Sequence, residues 1–181
     1  MERIFATNFH GTLHVIQAAL PYLRAQRGGH ILNITSIAGH APGTGAGIYA
    51  AAKHAVEGLS KCLAQEVAPF GIKVTAVAPG TFRTDFASDR ALLRSAPAAD
   101  VWADTVDKVR EAFGRLHGHQ PGDPARAAQA LLRVVDVADP PLHLLLGSDA
   151  LARAQAKFAA VAAEVDAWAE VSRSTDFPAR S

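Results

Sequence analysis

The segment 30-HILNITSIAGHAPGTGAGIYAAAKHAVEGLSKCLAQEVAPFGIKVTAVAP-79 holds two short β-rich runs separated by one helical pattern. "HILNIT" (30–35) is an apolar run bounded by turn residues, which reads as a buried strand. From about Gly47 to Val67, Ala55, Leu59 and Leu63 recur on one helical face, and "PFG" at 69–71 closes the helix. "IKVTAVAP" (72–79) is the second strand. A strand, a helix and a second strand in this order predict parallel pairing through a crossover helix.

The same alternation extends in both directions. Upstream, Phe9, Leu13, Ile16, Leu20 and Leu23 form an apolar helical seam, Pro21 should bend its last turn, and "RGG" at 27–29 stops it. Downstream, the pattern loosens after "PGTFRTDF" through residue 98. A helix is then expected from the seam Trp102, Val106, Val109, Phe113 and Leu116. "GDP" at 122–124 starts another, with Asp123 as cap and Pro124 at the first helical position, running to about Val135. "LHLLLG" (142–147) reads as a third strand, and Ser148 is expected to cap a final helix reaching about Val171. The expected class is α/β, the C-terminal portion of a doubly wound parallel sheet. The 181 residues form one partial domain, with a substrate-binding loop and helix region at 86–118 and a polar tail at 172–181.

Composition excludes several classes of function. Hydrophobic residues make up 49% and charged residues 19%, a globular balance rather than a disordered one. A formal net charge of +1 gives no electrostatic basis for nucleic-acid or acidic-membrane binding. Cys62 is the only cysteine, so no internal disulfide forms and a reducing compartment is expected. The opening "MERIFATNFHG" lacks the pattern of a secretory leader, and no apolar run approaches a membrane span. The expected location is cytoplasmic.

Chemistry is expected at the carboxyl ends of the strands, where open parallel sheets gather their sites. Ser36 ends the first strand, thirteen residues before Tyr49, and Tyr49 and Lys53 share a helical face at i and i+4. A neighbouring ammonium is expected to pull the phenol's pKa down. Pro79, Gly80 and Thr84 fall at the end of the second strand. "GTGAG" (43–47) lacks the one-three-six glycine spacing of a dinucleotide-binding turn and reads instead as a loop admitting substrate. His10 and His14, and His117 and His119, have no third ligand near them in sequence, and Cys62 lacks a basic setting, so no metal site is expected.

Taken together, these motifs resemble the short-chain dehydrogenases/reductases, within them a bacterial subgroup, over nearly the whole chain. "TNFHGTLHVIQAALPYL" resembles the helix bearing the family's active-site asparagine, here Asn8. "GGHILNITSIAG" is similar to the strand ending in its serine, here Ser36. "YAAAKHAVEGL" matches the tyrosine–lysine motif at Tyr49 and Lys53. "IKVTAVAPGTFRTDF" resembles the strand and loop that hold a nicotinamide, at Pro79, Gly80, Phe82 and Thr84. The resemblance implies hydride transfer between NAD or NADP and a carbonyl or alcohol substrate. Tyr49 would be acid/base, Ser36 would hold the carbonyl oxygen, Lys53 would hold the ribose, and Asn8 would anchor a water relaying protons to Lys53. It also implies a homo-oligomer packed through helices at 4–26 and 47–67. By the same comparison the family's first four strands, with the glycine turn and the NAD/NADP selector, are missing here. A non-catalytic remnant or dimerisation fragment of such an enzyme therefore stands as the alternative.

Overall fold

A computed structural model describes residues 2–88 and 102–177 of the chain. Residues 89–101 of the expected substrate region, and 178–181 of the tail, lie outside the described residues. Three strands form a parallel sheet in the order β1 (Gly29–Ile34), β2 (Ile72–Pro79), β3 (His143–Leu146). Gly29 pairs with Ile72 and Ile34 with Val77 across the first pair, and Ala76 pairs with His143 and Pro79 with Leu146 across the second. All three strand ends therefore point toward one rim. The chain is α/β with a Rossmann-like parallel sheet and flanking helices.

The opening helix is not uniform. α1 (Glu2–Phe5) passes through a π turn at Ala6–His10 into α2 (Gly11–Gln26) without leaving helical backbone. Such π turns are local widenings that cluster at functional sites, and this one carries Asn8. α2 continues through Pro21 and ends at Arg27, whose φ of 55° places it in the left-handed region. α3 (Gly47–Val67) spans the expected residues and ends in a 3₁₀ turn, Ala68–Phe70, and a left-handed Gly71. Ile16 of α2, Leu63 and Val67 of α3, and Ile72 and Val74 of β2 form one buried cluster. Ile37, Ala150, Ala154 and Leu145 form a second, which seats α6 (Ser148–Ala167) against β3 and the turn after β1.

Elsewhere the structure departs from the sequence reading. The seam at 102–116 forms a π turn (Ala103–Asp107) and a short helix, α4 (Lys108–Arg115). Trp102, Val109 and Leu116 of that seam are exposed rather than in a core. α5 (Pro124–Val135) is capped as expected: the Asp123 carboxylate accepts from the backbone N–H groups of Ala125 and Arg126. Ser148 does not cap α6. The capping position is Gly147 at φ 97°, a backbone conformation that a side chain strains, and Ser148 is the first helical residue. The helical run after α6 breaks at Trp168 and resumes as α7 (Ala169–Arg173).

Candidate active site

Ser36 lies in extended backbone two residues beyond β1 and caps the 3₁₀ turn Ile37–Gly39, its Oγ accepting from Ala38 N–H at 3.1 Å. Tyr49 sits in the first turn of α3, its phenol beside Ser36. Lys53 stands one turn later with only 8% of its surface exposed, and its Nζ lies 5.8 Å from the Tyr49 ring centroid. That ammonium donates to the Ile34 carbonyl at 3.0 Å, the last residue of β1. The sheet end thus fixes both side chains through adjacent residues of one strand exit. Ser36, Tyr49 and Lys53 are brought together.

The electrostatics differ from the expectation that the ammonium would pull the phenol's pKa down. Burial raises the Tyr49 pKa above its ordinary value of 10.0, and the neighbouring Ser36 side chain only partly opposes this. Burial lowers the Lys53 pKa. The dominant influence on each group is its own loss of water rather than the charge of the other. Without a further ligand the phenol is therefore firmly protonated near neutrality.

Asn8 is placed on the neighbouring helix, but its side chain turns back on itself: Nδ2 donates to the Ile4 carbonyl at 3.0 Å. Its own carbonyl accepts from the Thr12 hydroxyl at 3.2 Å. The π turn containing it packs against α3.

The loop after β2 is built by contacts from two distant segments. Gly80 N–H donates to the Leu146 carbonyl at 2.8 Å. The Asp149 carboxylate, at the start of α6, accepts from both Thr81 N–H and Thr81 Oγ1 at 2.8 Å. A Cβ on Gly80 would collide with that carboxylate, so the close approach requires glycine. Phe82 forms an isolated bridge with Gly122, and the Arg83 guanidinium donates to the Gln120 carbonyl at 3.1 Å. Thr84 caps the turn Asp85–Ala87. This brings Phe86 over the site, its ring centroid 5.8 Å from that of Tyr49. Asp149 and Phe86 were not singled out from the sequence. Only "GSDA" at a helix start hints at Asp149, and nothing local reveals its partner 68 residues away.

The "GTGAG" run forms the loop into α3, with Gly45 at φ 78°, and a Cβ there would touch Val106. The 102–116 segment thus lies against the mouth of the Tyr49 helix. Behind Lys53, Glu57 is also buried. Its Oε1 accepts from Thr35 Oγ1 at 2.5 Å and lies 3.1 Å from His40 Nε2, while Oε2 lies 3.3 Å from His143 Nδ1.

Comparison with known proteins gives this site its context. The short chain dehydrogenase family model matches residues 1–92. The chain belongs to the short-chain dehydrogenase family. It is 36% identical over 165 residues to the oxidoreductase BOA17 of Botryotinia fuckeliana, covering 91% of this chain and 60% of that protein. The solved short-chain dehydrogenase from Streptomyces avermitilis superposes with a TM-score of 0.83 at 38% identity, over 96% of this chain and 62% of that one. ElxO, solved with NADP bound, aligns with a TM-score of 0.58 at 26% identity, over 80% of this chain and 55% of that one. The chain therefore spans little more than half the length of the relatives it matches.

Proposed function

We propose that this chain carries the catalytic half of a nicotinamide-dependent oxidoreductase that interconverts a carbonyl and an alcohol, with Tyr49 as the acid/base. The observation that carries the proposal is the convergence of the Tyr49 hydroxyl, Ser36 and the Lys53 ammonium at the carboxyl end of β1, beside the loop after β2.

In the reductive direction the protonated Tyr49 gives its proton to the carbonyl oxygen, and the Ser36 hydroxyl holds that oxygen by a hydrogen bond. In the oxidative direction Tyr49 takes the proton from the alcohol. A bound nicotinamide supplies or accepts the hydride at the carbonyl carbon. The residues present fit the nicotinamide end of such a group. Lys53 donates one hydrogen bond to the Ile34 carbonyl and has further N–H donors for ribose hydroxyls. Pro79, Gly80, Phe82 and Thr84 supply a loop pinned from below by Asp149. NADP bound to ElxO supports a nicotinamide dinucleotide as the class of cofactor. Asn8 anchors a water leading to Lys53 in this reading, and the region 86–118 contributes to substrate binding. Substrate is a small carbonyl compound, and the chain works in the cytoplasm. No helix among the described residues is long and apolar enough to cross a membrane.

A second reading is a non-catalytic assembly fragment. It is favoured by Val15 and Tyr22, which α2 leaves 70% and 77% exposed on a face suited to a partner subunit. Homo-oligomerisation through the helices at 4–26 and 47–67 belongs to both readings. The deciding experiment titrates the purified chain with NADH and NADPH by calorimetry and assays reduction of a ketone and aldehyde panel. It is repeated with Tyr49→Phe. Wild-type turnover that Tyr49→Phe abolishes while cofactor still binds supports the enzyme. Unchanged turnover in the variant removes the proton-donor role, and no cofactor binding in the wild type leaves the assembly fragment.

A further inference from the structure

Glu57 is the most unusual buried group outside the proposed catalytic set. Only 3% of it is exposed, and its Oε2 has no hydrogen-bond partner. That oxygen nevertheless faces His143 Nδ1 at 3.3 Å, while Oε1 faces His40 Nε2 at 3.1 Å. One ligand atom from each of His40, Glu57 and His143 lies within 4.8 Å of the others. We propose that His40, Glu57 and His143 form a binding site for a divalent ion of the zinc class, distinct from the Ser36–Tyr49–Lys53 site.

Several features point the same way. Two imidazoles and one carboxylate form a donor set that zinc accepts, with bond lengths of about 2.0–2.2 Å. Ligands in a tetrahedral shell at such distances sit roughly 3.3 Å from one another, close to the spacing of each histidine nitrogen from the carboxylate. Thr35 donates to Glu57 Oε1 and would orient it from behind, as outer-shell partners do. A buried carboxylate needs a compensating positive charge. An imidazole must gain a proton before it carries charge, whereas a divalent ion brings two charges while its ligands stay deprotonated. The His143 side chain is 41% exposed, which leaves an entry path and an open position for water. The three ligands come from the loop after β1, from α3 and from the start of β3. An ion there would tie these three segments together. This inference does not depend on the proposed oxidoreductase activity.

The test uses the full chain, stripped with a chelator and dialysed. Zinc is titrated by calorimetry, and cobalt(II) is added separately to read coordination from its visible absorption. The expected result is one zinc per chain, a four-coordinate cobalt spectrum, and a melting temperature raised by about 5–10 °C at zinc a hundredfold above its Kd. His143→Ala and His40→Ala should each weaken binding at least tenfold. His14→Ala, in the separate His10/His14 pair where the π turn meets α2, should not. Metal-free melting curves check that each variant folds, and the exposed His143 alone decides if His40→Ala does not. The proposal is overturned if the wild type neither binds nor is stabilised by zinc at about 100 μM. It is equally overturned if His143→Ala binds zinc as tightly as the wild type. Either outcome would leave the cluster as a carboxylate ion-paired with histidine.

Discussion

Gly80→Ala should destabilise the chain through one identifiable contact. Gly80 is not among the glycines at positive φ, so alanine's backbone preferences are not the obstacle. The obstacle is the Asp149 carboxylate, which an added Cβ would overlap. Asp149 must then swing away, and it surrenders the two 2.8 Å hydrogen bonds it accepts from Thr81. Hydrogen bonds to a charged group are each worth about 1.5–3 kcal/mol, and part of that is recovered by water at this half-buried site. The expected cost is therefore about 2–4 kcal/mol, or roughly 4–16 °C in melting temperature for a chain of this size. Asp149→Ala alone removes the same two bonds and should cost about 2–3 kcal/mol. The two changes act on one contact, so they should not add. In the Asp149→Ala background the extra methyl has room, and Gly80→Ala should cost less than about 0.5 kcal/mol more. A double-mutant cycle by chemical or thermal unfolding measures this directly, with an expected coupling of about 2 kcal/mol. Additive losses would refute the reasoning, because they would place the strain of Gly80→Ala somewhere other than Asp149.

Ser60→Ala should cost about 1–3 kcal/mol in the same unfolding assay, because it leaves the buried Asn33 amide without the Ser60 Oγ that it reaches at 2.9 Å; a neutral effect would mean that water or another group replaces the hydroxyl. The raised Tyr49 pKa has a sign that can be read without any turnover. A group whose folded pKa lies above its unfolded value contributes stability that is present below the unfolded value, near pH 10, and lost as pH rises through the folded one. The melting temperature of the wild type should thus fall more steeply above pH 10 than that of Tyr49→Phe, the burial of Lys53 being common to both. Parallel curves would show that the phenol is not held protonated.

The parts of the fold written in contiguous residues were legible in the sequence. α3 and β2 occupy the expected residues because their periodicity and their Gly and Pro stops are local signals. The Asp123–Pro124 helix start is equally local. The placement of Tyr49 and Lys53 one turn apart on α3 was legible because the motif falls on one element. What the sequence concealed depends on contacts between distant segments. Asp149 beneath the loop after β2, and the partners that His40 and His143 find in Glu57, become visible only when β3 is laid beside β2. Burial misled in two places. The apolar seam at 102–116 predicts a core that the described residues do not provide, and Tyr49 is governed by its own desolvation more than by Lys53. The π turn at Ala6–His10 left no sequence signal, since Phe9 continues the apolar seam of α2 without a break.

One run of contacts explains why the proposed site sits where it does. As the chain leaves β1, the side chains of Asn33, Thr35 and Ser36 meet progressively earlier turns of α3. The Asn33 side chain reaches Ser60, Thr35 reaches Glu57, the Ile34 carbonyl takes the Lys53 ammonium, and Ser36 stands beside Tyr49. Alternate strand residues face opposite sides, so Asn33 and Thr35 supply one pair of side-chain contacts. Between them the intervening backbone carbonyl supplies the lysine's acceptor. On the helix, Tyr49, Lys53 and Glu57 are spaced four apart and form a single stripe. A slip of one residue in β1 would turn Asn33 and Thr35 away from α3 and break all of these contacts at once. The register Gly29 to Ile72 that the sheet fixes thus also fixes the distance of the Tyr49 hydroxyl from Ser36. Lys53 is buried with its ammonium received by the Ile34 carbonyl at the end of β1. The polar ladder holds the Tyr49 end of α3 against the strand exit, and the apolar cluster at Leu63 and Val67 anchors the other end. The position of the phenol is therefore a property of the whole helix–strand pair rather than of the four residues that bracket it.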